Sequence, residues 1–163
     1  MKFEALLVSP DLQTLKGVLE TLEDLSIEVD VCMSLTRAVD VLTKRNVDLV
    51  VIDCEKKNGA EEVAKAIGSP GGGRRTTIAA LVDDSFGAKQ IREAGAHVVI
   101  QKPLNGNFRS EFHTRVYSRM VREWRQHPRY GVRWLVAAKD RLGDTANARP
   151  ATPLSSDRMR RKD

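Results

Sequence analysis

The sequence predicts an α/β protein in which helices cover both faces of a parallel sheet. Over the first hundred residues, short apolar runs rich in β-branched residues alternate with amphipathic stretches, a pattern typical of repeated strand–helix units. The run at residues 48–53 is continuously apolar from Leu49 to Ile52 and ends in a carboxylate, which indicates a central strand buried on both faces. A length of 163 residues leaves room for one domain of ordinary size and an additional segment.

The first half of this pattern gives three strands and two helices. The first strand is predicted at residues 3–8, and Asp11 can cap a helix whose leucines recur at three- and four-residue spacing. A second strand follows at residues 27–31, and Ser34 or Thr36 begins the next helix. The continuous apolar run then forms the third strand.

The second half repeats the alternation. Helices are predicted at residues 61–67 and 85–94, and strands at residues 77–82 and 97–101. A fifth helix begins at Asn105. The whole pattern is therefore five strands and five helices.

The fifth helix is expected to be long and to end before Pro128. One apolar stripe runs along it, and arginines occupy its other faces. Past Lys139 the chain has almost no large apolar residues, so we expect a disordered tail there. The stripe recurs every four residues and consists of Phe108, Phe112, Val116, Met120 and Trp124.

The net charge of +5 is unevenly distributed. Residues 1–104 contain 13 Lys and Arg against 16 Asp and Glu, a net charge of −3, whereas residues 105–163 contain 14 against 6, a net charge of +8. A partner that recognises positive charge is therefore expected to bind the second part.

Several classes of protein are excluded by composition. No apolar run approaches the ~18 residues that cross a bilayer, and the N-terminus turns polar too early for a signal peptide, so we expect a cytoplasmic protein. Cys32 and Cys54 are expected to be buried fillers. Because the histidines lie on separate elements with no matched acid or cysteine, we expect neither a metal site nor an enzyme. These histidines are His97, His113 and His127.

Two segments carry a family resemblance: "DLVVIDCE" at residues 48–55 and "AGAHVVIQKPL" at residues 94–104. On these, residues 3–104 resemble the CheY-like receiver domain of bacterial two-component response regulators. The resemblance implies a flavodoxin-like, doubly wound sheet with strand order 2-1-3-4-5. It also implies that Asp53 occupies the phosphoacceptor position and that Lys102 is the receiver lysine, followed by a proline in the cis form.

The metal-binding part of this site departs from the family pattern. In the family, Mg²⁺ is held by the phosphoacceptor and by an acidic pair after the first strand. Here the pair is replaced by Ser9 and Pro10, and Asp11 is the possible remnant of the acidic pocket. We therefore expect no Mg²⁺ cofactor. Asp53 is either phosphorylated slowly or conditionally, or it is a strand-end carboxylate paired with Lys102.

The switch residues depart from the pattern as well. The Thr or Ser that ends the fourth strand in the family aligns with Val82, and moving the alignment by one residue gives Asp83, whose charge would repel a phosphoryl group. The aromatic residue of the last strand is replaced by Val99 or Ile100. Neither alignment predicts a working phosphorylation switch.

A second resemblance lies in the basic segment. Arg125 and Arg129 match the R-x-x-x-R start of PilZ domains, and such arginines can stack on guanine and bind phosphates of cyclic di-GMP. The family's second motif is missing from residues 134–163, and the ~30 residues that remain are too few for its barrel. The segment therefore resembles a truncated PilZ start.

These observations predict three regions: a receiver-like domain at residues 1–122, a basic PilZ-like segment at 123–138 and a disordered tail at 139–163. We expect a bacterial signalling module that acts on a protein partner or as a homodimer through its fourth helix, fifth strand and fifth helix. Cyclic di-GMP binding through Arg125 and Arg129 is one alternative. Nonspecific nucleic-acid binding through the arginine-rich part is the other.

Overall fold

The computed structural model describes residues 2–54, 58–67, 76–83 and 87–126. In these residues five parallel strands form one sheet in the order β2-β1-β3-β4-β5. This confirms the flavodoxin-like order 2-1-3-4-5. The strands are β1 (Glu4–Val8), β2 (Glu28–Cys32), β3 (Leu49–Cys54), β4 (Thr77–Val82) and β5 (Val98–Gln101).

Four helices connect the strands within the described residues, and each begins within three residues of its predicted start. Asp11 caps the first helix, as predicted, and of the two residues left open for the second helix, Ser34 is the cap. The third helix begins at Asn58, three residues before the predicted start. The helices are α1 (Leu12–Asp24), α2 (Leu35–Lys44), α3 (Asn58–Ile67) and α4 (Ala88–Glu93).

The C-terminal helix follows β5 and has three consecutive segments. These are α5 (Phe108–Phe112), a π-helical turn (His113–Tyr117) and α6 (Ser118–Gln126). Residues four apart in an α-helix drift by about 40° per turn, whereas the wider π turn accommodates more residues per turn. The π turn therefore keeps the four-residue apolar stripe facing the core, a feature that the periodicity alone did not predict.

That stripe is buried within the chain. Phe108, Phe112, Val116 and Met120 are all buried, and only Trp124, at the end of the stripe, is partly exposed. A stripe of this kind that was left half exposed in a monomer would favour a homodimer. The burial of four of its five residues corrects this argument, because the sheet and helices of the same chain cover them.

The two faces of the sheet carry alternate residues of each strand. One face packs Leu6, Val50 and Ile52 in a cluster with residues of α2, α3 and α4. On the other face Leu7, Val51 and Leu81 are equally buried. An ion pair of Asp24 with Arg109 joins α1 to α5, and Phe3 meets Tyr117 edge to face at 5.9 Å.

The glycine of the predicted "AGA" segment has a backbone that requires glycine. Gly95 follows α4 with φ of +124°, and a Cβ added there would lie 2.5 Å from Cβ of Ala64. The left-handed backbone and the lack of space both exclude a side chain.

Two compact units divide the chain at Glu123 and Trp124. The structure describes the second unit only over residues 124–126, so the predicted basic segment and disordered tail lie almost entirely outside the described residues. The domain boundaries therefore stay predictions. In the part of the chain that the structure describes, no helix is long and apolar enough to cross a membrane.

Candidate functional site

Four polar side chains meet at the carboxyl ends of neighbouring strands. Ser9 follows β1, Asp53 lies near the end of β3, Asp83 follows β4 and Lys102 follows β5. Carboxyl ends of parallel strands form one edge of the sheet, which is where ligands bind in open α/β folds. The site is thus built by the topology from residues far apart in the sequence.

Asp53 and Lys102 form a closely packed ion pair. Lys102 Nζ lies 2.6 Å from Asp53 Oδ1. The side chain of Lys102 is 16% exposed and that of Asp53 is 1% exposed. The Lys102–Pro103 peptide is cis, as the resemblance implied, and the Lys102 amide donates to the carbonyl of Val82 at 2.8 Å. The paired arrangement is one of the two states that the sequence left open for Asp53.

The pKa of Lys102 reflects two opposing effects. Burial lowers the pKa, but the hydrogen bond and charge of Asp53, together with the charge of Asp83, outweigh it and raise the pKa above its usual value. Lys102 is therefore a cation at neutral pH, held by carboxylates.

Ser9 closes the other side of Asp53. Its buried hydroxyl donates to Asp53 Oδ2 at 2.9 Å and lies 3.1 Å from the amide of Asp11, which donates to it. Both carboxylate oxygens of Asp53 thus have a partner within the chain. Sequence reasoning treated Ser9 only as a lost acid, and its bond to Asp53 follows from the pairing of Val8 with Ile52, which puts the next residues side by side.

Asp11 is engaged by the N-terminus of α1. Its Oδ2 accepts from the amide of Thr14 at 3.0 Å and from the Thr14 hydroxyl at 2.5 Å, and its Oδ1 accepts from the amide of Gln13 at 3.4 Å. The hydroxyl and amide of Thr14 are the main cause of a lowered pKa for Asp11. The possible acidic remnant is therefore used as a helix cap.

Carboxylates near Asp53 do not make up a metal-binding set in the described residues. No three His, Cys, Asp or Glu side chains lie together in a way that could hold a metal ion. Ser9 and Pro10 offer no carboxylate where the family resemblance implies an acidic pair. A hard divalent ion prefers several oxygen ligands with negative charge, so these residues fit it poorly.

The structure distinguishes Val82 from Asp83, the two residues that could align with the Thr or Ser at the end of the fourth strand. Val82 is buried in the core cluster formed with α2, α3 and α4. The next residue, Asp83, has Oδ1 at 3.6 Å from Lys102 Nζ. The charged residue, Asp83, is therefore the one whose side chain lies at the lysine.

Two of the cavities lined by described residues adjoin this edge of the sheet. The larger, of about 790 Å³, is lined by Asp11, Thr14, Asp83, Lys102 and Leu104 among others. The smaller, of about 360 Å³, is lined among others by Pro10, Met33, Asp53 and Gly59. The Asp53–Lys102 pair thus lies between two open clefts.

The cysteines and His97 have structural roles. Burial raises the pKa of Cys54 to about 11 and also raises that of Cys32, so both are poor nucleophiles at neutral pH. His97 is exposed, and its Nδ1 accepts from the amide of Ile78 at 2.9 Å.

The R-x-x-x-R segment is described only at its start. Arg125 is exposed near the end of α6, and Arg129 lies outside the described residues. The predicted cyclic di-GMP residues therefore stay a prediction.

Solved structures of receiver domains have the same fold. The chemotaxis response regulator CheY4 of Vibrio cholerae is 21% identical, with a TM-score of 0.60 over 71% of this chain and 99% of that one. The receiver domain of the sensor histidine kinase PA1611 from Pseudomonas aeruginosa, which has a magnesium ion coordinated in its active-site cleft, is 21% identical with a TM-score of 0.58, over 70% of this chain and 93% of that one.

A CheY-like receiver domain protein from Methanospirillum hungatei is 17% identical, with a TM-score of 0.62 over 77% of this chain and 99% of that one. These likenesses show that the chain has the receiver, or CheY-like, fold. No protein-family model matches the sequence, and no curated protein matches it.

Proposed function

We propose that this chain is an atypical receiver module of bacterial signal transduction that acts by contact with a protein partner, with weak or no phosphorylation of Asp53. The observation that carries the proposal is the occupation of both Asp53 carboxylate oxygens by Lys102 and Ser9. A nucleophilic oxygen must be free to approach phosphorus in line with the leaving group. In this chain the phosphoacceptor position is instead a buried, internally satisfied carboxylate.

The absence of a Mg²⁺ cofactor is part of the same proposal. Phosphoryl transfer depends on neutralising the charge of the transferred group, which a divalent ion does in this fold family. Here Ser9 and Pro10 replace the acidic pair, and Asp11 caps α1. The magnesium ion in the Pseudomonas receiver domain is a property of that protein, and the ligand positions of this chain support a different outcome.

Asp53 phosphorylation can be tested directly. The whole chain is incubated with acetyl phosphate and Mg²⁺, and intact mass is followed over time beside a receiver domain that has a complete acidic pair. We expect the control to gain one phosphoryl group and this chain to stay unmodified. A stoichiometric adduct that disappears in Asp53→Asn would contradict the proposal.

The protein partner is proposed to bind the surface formed by α4, β5 and α5, where receiver domains commonly meet other proteins. A homodimer through the same surface is a further part of the proposal, although its support is now the family resemblance alone. Light scattering over a range of concentrations tests it. A mass that stays that of one chain removes the homodimer and leaves a different protein as the partner.

Cyclic di-GMP binding is kept as an alternative because Arg125 is exposed near the end of α6. Calorimetric titration into the whole chain and into Arg125→Ala/Arg129→Ala at two salt concentrations tests it. Saturable binding that is lost in the double variant supports this function. Binding to any oligonucleotide that falls steeply with salt supports nucleic-acid binding instead.

A further inference from the structure

We infer that Asp83 is a permanent internal substitute for the phosphoryl group: its carboxylate supplies Lys102 with the second anionic partner that phosphorylation of Asp53 would otherwise provide. This inference rests on the proposed function and adds a regulatory consequence to it. The module is set in one state by its own sequence, so no phosphodonor is needed to set it.

The register of the sheet places Asp83 correctly for this role. Asp53 of β3 is the Cα partner of Leu81 in β4, so the two side chains lie on the same face of the sheet. Side chains alternate along a strand, and the side chain two residues further along, that of Asp83, returns to this face. Val82, between them, points into the opposite core cluster.

The register between β4 and β5 places Lys102 beside Asp83. Val82 pairs with Gln101 of β5, which puts the next residues, Asp83 and Lys102, side by side at the strand ends. The distances agree with this placement, because Lys102 Nζ is 3.6 Å from Asp83 Oδ1 and 2.6 Å from Asp53 Oδ1. One ammonium group thus bridges two carboxylates that come from different strands.

The trio of Asp53, Asp83 and Lys102 already carries a negative charge without a phosphoryl group. One cation faces two carboxylates, which leaves a net charge of −1 before any ligand arrives. The side chain of Asp83 is 55% exposed and lines the larger cleft together with Asp11 and Lys102. An anionic phosphodonor entering the cleft therefore meets the carboxylate of Asp83 beside an ammonium group that already contacts two carboxylates.

Phosphoryl transfer to Asp53 would increase this excess of negative charge. In that step an Asp53 oxygen forms a bond to phosphorus, the bond from phosphorus to the leaving oxygen of acetyl phosphate breaks, and acetate departs with the electron pair. The phosphorylated side chain carries more negative charge than the carboxylate it replaces. Like charges a few ångström apart repel strongly at the dielectric of a protein surface, so Asp83 opposes the reaction.

The exposed contact between Lys102 and Asp83 contributes little to stability by itself. The contact instead fixes the position of Asp83, the residue from which the chain continues toward α4 (Ala88–Glu93). Held at Lys102, Asp83 joins the end of β4 to the end of β5. The same tie is what an oxygen of a phosphoryl group would establish through Lys102.

The first test removes the charge of Asp83 in a chain whose acidic pair has been restored. The double variant Ser9→Asp/Pro10→Asp supplies the missing carboxylates, and Asp83→Asn is added to it. Asp40→Asn, at an exposed position of α2, is the matched control for loss of one negative charge. All chains are treated with acetyl phosphate and Mg²⁺ and followed by intact mass. We expect Asp83→Asn to raise the labelling rate roughly tenfold or more, and Asp40→Asn to leave it unchanged.

The second test needs no restored acids, so it holds even if a buried aspartate at position 9 prevents folding. Amide hydrogen exchange in α4 is compared for the natural sequence, Asp83→Asn and Asp83→Glu. We expect faster exchange in the Asn variant and near-native exchange in the Glu variant, which keeps the charge. Unchanged exchange in the Asn variant overturns the inference, and so does an unchanged labelling rate in the first test.

Different labelling results would contradict this inference and the proposed function. Labelling of the natural chain itself would contradict the proposed function. Equal labelling of the restored chain with and without Asp83→Asn, with the natural chain still unlabelled, would contradict the role of Asp83 alone.

Discussion

The hydroxyl of Ser9 donates to Oδ2 of Asp53 at 2.9 Å, although the two residues are 44 positions apart. Both side chains are buried, and Lys102 holds the other oxygen of the same carboxylate. A position where the family resemblance implies an acid thus holds a hydrogen-bond donor to Asp53. This contact makes the site an internally completed polar cluster.

Ser9→Ala should destabilise the protein by about 1–3 kcal/mol, because a buried carboxylate oxygen loses its hydrogen-bond partner. Urea unfolding followed by circular dichroism gives the free energy of unfolding. Ser110→Ala, on the exposed face of α5, is the matched control and should change it by less than about 0.5 kcal/mol. Equal effects of the two changes would contradict the contact.

Lys102→Met should cost about 2–3 kcal/mol, below the ~3–5 kcal/mol typical of fully buried pairs because Lys102 is partly exposed. The reason is that the buried carboxylate of Asp53 loses its cationic partner. The double variant Asp53→Asn/Lys102→Met should recover much of the loss, since neither charge remains. A double variant whose loss equals the sum of the two single losses would show that the pair does not interact.

Stability should fall at high pH through Lys102. Its pKa is raised in the folded protein above the ordinary value of 10.5, so the stabilisation is fully present below that value and is lost as pH rises through the folded pKa. Unfolding free energies measured across this range, in the natural chain and in Lys102→Met, isolate the contribution. An identical pH dependence in both chains would contradict the assignment.

Asp11 should give the opposite dependence at low pH. Its pKa is lowered from 3.8, chiefly by the hydroxyl and amide of Thr14, so its contribution is present above that value and is lost as pH falls through the folded pKa. Asp11→Asn keeps a capping side chain and should make stability less sensitive to acid. Carbon-detected NMR of the Asp11 carboxyl gives the pKa directly, and a value at or above 3.8 would contradict the cap.

Gly95→Ala should be destabilising by about 1–3 kcal/mol, because φ is +124° and the added Cβ would meet the Cβ of Ala64. Gly106 is the matched control, since a Cβ there has nothing within 4 Å and its φ is not in the left-handed region. Gly106→Ala should therefore lie within about 0.5 kcal/mol of the natural chain. Thermal unfolding of both variants compares them.

The sheet and the Asp53–Lys102 pair could be predicted from the sequence because their signals are local. An uninterrupted apolar run marks a strand buried on both faces, and the two motifs place the carboxylate and the amine at strand ends. Asp11 was predicted both as a helix cap and as a possible acidic remnant. Its side chain was found capping, since both of its oxygens accept from the first turn of α1.

Other features depend on relations that one sequence does not contain. A shift of one residue moves a side chain to the other face of a sheet, so Val82 and Asp83 could not be distinguished before the register was known. The bond from Ser9 to Asp53 also depends on that register. The periodicity of the last helix showed an apolar stripe, but not that the same chain covers it.

We propose that Asp53 binds a divalent ion and accepts a phosphoryl group weakly or not at all. This proposal is tested most directly by two-dimensional amide NMR of the whole chain during addition of Mg²⁺ and then of beryllofluoride, which mimics a phosphoryl group on aspartate. We expect no saturable shift at the amides of Asp53, Asp83 and Lys102. Saturable shifts confined to these residues and abolished by Asp53→Asn would contradict it.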